Sequence, residues 1–275
     1  MDVRPPQTYQ KSHIKDAVNM YDMFSYLQED SSPAGMLAMQ KYFAKKLSSL
    51  GISGASNEHV VVYDQGERGL YPVSCRSSFI LKYMGHPNVS VLKGGLNSFL
   101  ETLSNSHQSI SDWMEESATS KHKACEYVSQ INETWMSNRG EIFDAIMNPH
   151  KKKVHIVDVR DKDEWIGASS ATSVYGKDFC PRKGRLPNAK WIEWYEFLDK
   201  GNPKPKEEID AIMRDKLGLK DKAEPVILYC LKGTRVSNVW LVLTHYGYTN
   251  VKNYFASWNE WSRDPSLPID NTLLF

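Results

Sequence analysis

Four cysteines occur in 275 residues, at positions 75, 125, 180 and 230; Cys230 stands in surroundings that would make it react, and Cys180, in an expected loop, could serve as a resolving thiol. Cys230 ends the apolar run VILYC, is followed by the short polar loop LKGT and Arg235, and precedes a segment with helical periodicity. At the carboxyl end of a buried parallel strand, a side chain faces the crevice in which α/β proteins bind ligands. A helix start behind it supplies unpaired N–H groups and the positive end of the helix dipole. Gly233 lets the loop curl so that several amides point inward, and Lys232 and Arg235 add positive charge. Each feature favours thiolate over thiol, and a cysteine so placed can titrate well below the usual value of about 8.5. Such a thiolate in a cradle of N–H donors would attract a small thiosulfate-like donor, take a sulfur atom from it and hold the persulfide, with no metal or organic cofactor. The bland alternative is an inert buried thiol; the ordered series of Cys, Lys, Gly, Arg and helix speaks against it.

The elements that must position this cysteine occur twice. VVVYD (60–64) answers VILYC (226–230), and both are β-branched runs typical of buried parallel strands. Each is followed by a polar loop with Gly and Arg and then by a helical segment: Ser77, Ile80, Leu81 and Met84 ahead of Gly85, and Val236, Val239, Trp240 and Leu243 ahead of Gly247. MGHPNV (84–89) matches YGYTNV (246–251), and KGGLNSF stands where FASWNEW stands. Upstream, Asp2-Val-Arg4 matches Asp158-Val-Arg160, and SHIKDAVNM (12–20) resembles GRLPNAKWI (184–192). Strands alternating with helices imply parallel sheets flanked by helices. The expected organisation is an α/β unit over 1–105, a linker with helices over 106–150 (KACEYVSQI and RGEIFDAIM being the helical pieces), and a second α/β unit over 151–275. The first repeat opens on Met1 and Asp2, without the VHIV strand that precedes Asp158, so it reads as clipped.

Bulk properties narrow the partners. Hydrophobic residues are 41% and charged residues 24%, ordinary for a globular chain. Lys and Arg total 34 against 33 Asp and Glu, so no nucleic-acid partner is implied. No apolar run approaches the roughly 20 residues of a membrane span. No C-x-x-C pair suggests zinc or a redox dithiol, and the cysteine density argues against a disulfide scaffold. The N-terminus lacks a signal-peptide core. The expected setting is the cytoplasm, with mitochondria the alternative and no presequence evident, and the expected state is a monomer.

At CLKGTR, DVRDKDEW, GRLPNAKWI and the closing segment GYTNVKNYFASWNEWSRDPSLPID, the chain resembles the rhodanese family, specifically its two-domain thiosulfate and 3-mercaptopyruvate sulfurtransferases. The resemblance spans nearly the whole chain. It implies tandem rhodanese-like domains, the second catalytic through Cys230 and the first inactive, since Asp64 stands at the nucleophile position. It implies that the loop residues Leu231, Lys232, Gly233, Thr234 and Arg235 hold the donor. Arg182 or Arg185 would supply a further cation, because Glu164 occupies the place of an arginine common in this family. Asp158 and Arg160 would brace the loop, and Trp258 and Trp261 would wall the mouth of the site or pack in the core. Lys232 and Arg235 together lean towards thiosulfate, a dianion. The acceptor would be a small thiol or a thioredoxin-like dithiol. Asn188 stands where the family has glycine, and Arg185 where it has histidine. Two rival readings are a binding or regulatory protein on the same fold, and a phosphatase or arsenate reductase. The latter use Cys-x-x-x-x-x-Arg, whereas only Leu231 to Thr234 separate Cys230 from Arg235.

Overall fold

The computed structural model describes residues 1–67, 70–116, 122–150, 153–170 and 179–272. The chain divides into two compact units: Met1–Tyr26, Leu37–Asn132 and Lys200–Asn202 form the first, and Leu27–Met36, Glu133–Asp199 and Pro203–Phe275 the second. The stretch expected as a linker is thus shared out, 106–132 to the first unit and 133–150 to the second.

The second unit is built on a five-stranded parallel sheet, in the order Met136–Ser137, Val251–Tyr254, Val226–Tyr229, His155–Asp158, Lys190–Trp191. Val226–Tyr229 is central and every residue of it is buried, which is why it reads as an unbroken apolar run. Burying such side chains is worth about 1.5–3 kcal/mol each. Ile142 and Ile146 of the helix Arg139–Met147 pack with Ile156, Ile227 and Tyr254 in one core cluster. The helix Thr234–His245 packs against the strand Val251–Tyr254, and Trp240 Nε1 donates to the Val251 carbonyl at 2.9 Å.

The first unit repeats this order in reduced form. Strands His59–Val62 and Asn88–Val91 pair in parallel. Beside them Asp2 makes single parallel bridges to Tyr63 and Asn19, where the second unit has the strands His155–Asp158 and Lys190–Trp191.

RGEIFDAIM is helical as expected, with Asn138 capping it by accepting the Glu141 amide at 2.9 Å. KACEYVSQI is not. Residues 123–131 run without helix, and their amides go to carbonyls of other elements: Cys125 N to Ser48 O, Val128 N to Ser53 O, Gln130 N to Met84 O. Among the described residues, no helix is long and apolar enough to cross a membrane.

Candidate active site

The strand Val226–Tyr229 delivers Cys230 to a loop of three residues, 231–233, before the helix begins at Thr234. Gly233 takes φ +86°, a conformation open to glycine at little cost. This turn aims the Gly233 N–H at Cys230 Sγ, 3.1 Å away. The loop backbone is held from behind by the residues that follow the last strand. Ser257 Oγ accepts the Cys230 N–H at 3.1 Å and donates to the Tyr254 carbonyl at 2.6 Å. The amides of Trp258 and Asn259 donate to the carbonyls of Cys230 and Leu231, at 3.1 and 2.9 Å. Cys230 is 1% exposed, so its sulfur lies enclosed rather than open to a crevice.

Behind the loop lies a buried polar network. Arg160 donates from its amide, Nε and Nη2 to the Asp158 carboxylate at 2.7–3.1 Å, and from Nη2 to the Gly184 carbonyl at 2.8 Å. Tyr229 donates to Asp158 Oδ2 at 2.6 Å and accepts the Leu186 amide at 3.1 Å. Burial works against the Arg160 cation, but Asp158 outweighs it and holds the group above its ordinary value. Its guanidinium also lies over the Trp258 ring, 4.8 Å from the centroid. Asp158, Arg160 and Trp258 are all fully buried, so the pair is no surface ion pair of little worth.

The first unit carries the same network in the same atoms. Arg4 donates to Asp2 at 2.6–3.1 Å and to the Ser12 carbonyl at 2.7 Å. Tyr63 Oη accepts the Ile14 amide at 3.1 Å. Asp16 and Asn188 each take φ +62°, which Asn and Asp tolerate better than other side chains. Leu96 and Asn97 donate to the carbonyls of Asp64 and Gln65 as Trp258 and Asn259 do to Cys230 and Leu231. Gly95, at φ +65°, stands where Ser257 stands at +57°.

Three substitutions at matched positions change what holds the side chain and the loop. Asp64 replaces the cysteine, and its carboxylate takes the Gly66 and Ser74 amides at 3.0 Å each. Gln65 replaces Leu231; it accepts Arg4 Nη1 at 3.0 Å, whereas the buried Arg160 Nη1 has no hydrogen-bond partner among the described residues. Gly95 replaces Ser257, so the amide of Asp64 lacks that hydroxyl.

The structure also places the remaining candidates. Arg235 is 15% exposed and clamps carboxylates: Nη1 and Nη2 both bond Glu164, with Nη1 3.0 Å from Asp161. Burial opposes the Arg235 charge, and Glu164 more than offsets this, holding the group above its usual range. Glu193 is nearby, its carboxyl raised by burial and by Asp161. The two-cation argument for thiosulfate therefore changes, since Arg235 is met by two carboxylates. Lys232 is buried at 7% exposure. The Thr234 hydroxyl is buried with no partner among the described residues. Arg185 serves the C-terminal segment: it pairs with Asp270 at 2.8 Å, donates to the Trp165 and Thr272 carbonyls, and stacks over Trp165. Arg182 donates to the carbonyls of Trp261, Ser262, Asp264 and Leu267. Burial pushes the Cys180 thiol up to about 12, which makes it a poor nucleophile near neutrality. Ser257 and the Glu164 carboxylate are the site residues whose roles sequence reasoning missed; the matched positions of FASWNEW and KGGLNSF were the available signal for the first.

Among known proteins, the Rhodanese-like domain family matches residues 1–102 and 144–264. Thiosulfate sulfurtransferase of Mus musculus is 27% identical over 93% of this chain and 79% of its own length. The 3-mercaptopyruvate sulfurtransferase of Escherichia coli K12 is 27% identical over 96% of this chain and 85% of its own. The crystal structure of the Escherichia coli 3-mercaptopyruvate sulfotransferase SseA superposes with a TM-score of 0.67 and 26% identity, over 92% of this chain and 85% of that one.

Proposed function

Since the chain belongs to the rhodanese-like domain family, we propose that it is a sulfurtransferase in which Cys230 carries sulfur as a persulfide. The Cys230 thiolate attacks the outer sulfur of the donor. With thiosulfate the S–S bond breaks and sulfite leaves with the electron pair; with 3-mercaptopyruvate the C–S bond breaks and pyruvate leaves as its enolate, which takes up a proton. The persulfide is then attacked at its terminal sulfur by an acceptor nucleophile, and the Cys230 thiolate is released. Cyanide is the laboratory acceptor; a small thiol or thioredoxin-like dithiol is the proposed natural one.

The observation that carries this reading is the Gly233 N–H directed onto Cys230 Sγ at 3.1 Å, at the end of the central strand. The amide donated to that sulfur holds it at the end of the strand, both before and after transfer. Donor choice follows from the charges beside the loop. With Arg235 clamped by Glu164 and Asp161, a singly charged donor such as 3-mercaptopyruvate meets less repulsion than the thiosulfate dianion. The tight loop 231–233 speaks against a phosphatase, whose tetrahedral oxyanion needs a wider cradle.

The test is thiocyanate formation from cyanide with each donor in parallel. Wild type forms thiocyanate, with mercaptopyruvate the better donor, and Cys230→Ser forms none. Donor treatment alone adds one sulfur to the intact mass. An unchanged mass and no thiocyanate with either donor would leave a binding role, which the enclosure of Cys230 would then explain.

A further inference from the structure

Two different side chains at matched positions are held in the same way. In the second unit Arg185 lies over the Trp165 ring, 4.7 Å from its centroid; Nη1 donates to the Trp165 carbonyl at 3.3 Å, and Nη2 pairs with Asp270 at 2.8 Å. In the first unit His13 stacks on the Tyr9 ring with centroids 3.7 Å apart; Nδ1 lies 2.8 Å from the Tyr9 carbonyl, and Nε2 lies 3.5 Å from Glu115. Each carboxylate belongs to a segment that returns from beyond its own repeat and pairs antiparallel with the residue it contacts, Asp270 with Arg185 and Glu115 with His13. Backbone hydrogen bonds run both ways between Arg185 and Asp270, at 2.9 Å each. The approach is close. Gly184 takes φ +120°, and a Cβ there would lie 2.6 Å from the Asp270 carbonyl oxygen, a conformation and a spacing that suit glycine.

The flanking backbone reaches the buried networks. On either side of Arg185, the Gly184 carbonyl accepts Arg160 Nη2 and the Leu186 amide donates to Tyr229. On either side of His13, the Ser12 carbonyl accepts Arg4 Nη2 and the Ile14 amide donates to Tyr63. In the second unit this network leads to the sulfur. Tyr229 precedes Cys230, and Arg160 lies over the Trp258 ring while the Trp258 amide donates to the Cys230 carbonyl.

We propose that Arg185 and Asp270 are positioning residues for Cys230: the segment Leu267–Thr272 clamps Gly184–Leu186, these fix Arg160 and Tyr229, and that pair sets the loop that carries the sulfur. The rate expected below rests on the sulfurtransferase reading; the geometry does not. Arg185 is 4% exposed, so its removal leaves polar groups beneath it unpaired. Burial disfavours the Asp270 carboxylate, but the Thr272 amide and Arg185 outweigh it and hold the carboxyl below its usual range. His13 shows which replacement should work. A histidine at position 185 donates both to the Trp165 carbonyl and to Asp270 only when both ring nitrogens carry protons. Arginine does so at every pH.

The test uses the full chain with Arg185→Ala, Arg185→His and Asp270→Asn, the folded fraction of each being checked by urea unfolding at every pH used. Two rates are followed: thiocyanate formation, and alkylation of Cys230 by iodoacetamide, located by peptide mass. Arg185→Ala lowers kcat about tenfold and leaves KM within about twofold of wild type, a loss of alignment rather than of binding. Asp270→Asn lowers kcat less, by about threefold. Arg185→His matches wild type near about pH 6, and its kcat relative to wild type falls severalfold by about pH 9, as the ring gives up its second proton. The alkylation rates depart from wild type in the same order and with the same pH pattern. A folded Arg185→Ala with wild-type kcat and alkylation rate, or a ratio of Arg185→His to wild type that stays flat with pH, overturns the proposal. If Arg185→Ala does not fold, the Arg185→His ratio decides. A wild type inactive with both donors would sink the sulfurtransferase reading, and the alkylation series would still decide the clamp.

Discussion

At the scale of single residues, the decisive partner is Glu164. It is 4% exposed and fixes both terminal nitrogens of Arg235, so the charge of Arg235 is met before any donor arrives. Glu164→Gln keeps an acceptor for Arg235 but removes the negative charge. The expected result is a KM for thiosulfate lowered by about three- to tenfold, on the order of 1 kcal/mol for one charge near a partly buried site. KM for mercaptopyruvate changes less, because it carries fewer charges. A thiosulfate KM that stays put or rises, in a variant shown to be folded, would remove Glu164 from donor selection. Glu164 and Arg235 lie 71 residues apart in sequence. Each is legible alone as an unusual residue beside a motif, but their pairing depends on how the strand His155–Asp158 is set beside Val226–Tyr229, which no local pattern states.

At the scale of elements, the short helix Ser257–Trp261 and the strand before it set the loop. Ser257 at φ +57° carries strain of about 1 kcal/mol or more that a glycine would not. Its hydroxyl in return satisfies the buried Cys230 amide, and an orphaned amide costs about 1–3 kcal/mol. Ser257→Gly relieves the strain and loses the bond, so the net loss of stability is about 1 kcal/mol. Ser257→Ala loses the bond and keeps the strain, so urea unfolding should rank wild type above Gly and Gly above Ala. Both variants should lower kcat, since the Cys230 backbone loses its anchor. Ala as stable as wild type would mean that the hydroxyl does not hold the loop. Much of this scaffold was legible in the sequence: the strand, the Gly233 turn and the helix behind it follow from the apolar run, one glycine and a helical spacing. The segment 123–131 misled because Tyr127, Val128 and Ile131 fall at helical intervals. Only Tyr127 is buried, Val128 is 60% exposed, and the backbone hydrogen bonds go to other elements instead.

At the scale of the whole molecule, acid should act on the second unit through Glu224. The Lys220 amide, Lys153 and His155 hold its carboxyl down at about 2. A depressed acid contributes stability above its unfolded value of about 4.5, and that contribution is lost as pH falls towards 2. Glu224→Gln should therefore be less stable than wild type at neutral pH and equal to it near pH 2; parallel melting curves at every pH would refute this. The repeat itself poses a larger question, which is whether a matching scaffold confers matching chemistry. Asp2–Arg4 and Asp158–Arg160, Asp16 and Asn188, and the amides of Leu96 and Trp258 repeat one another atom for atom. The loops between do not. In the first unit the helix starts at Pro72, eight positions after Asp64, against Thr234, four positions after Cys230. Gln65 there occupies Arg4 Nη1, and no hydroxyl stands at Gly95 to hold the preceding amide. Asp64→Cys would place a single sulfur where the Gly66 and Ser74 amides now meet the two oxygens of a carboxylate, and a thiol that cannot take the place of both stays a buried thiol. The variant should take up one sulfur per chain from the donor, all of it on Cys230, and none in the double variant that also carries Cys230→Ser. A second sulfur, located on residue 64 by peptide mass, would mean that the repeated network and not the Gly233 turn is what makes the thiol reactive.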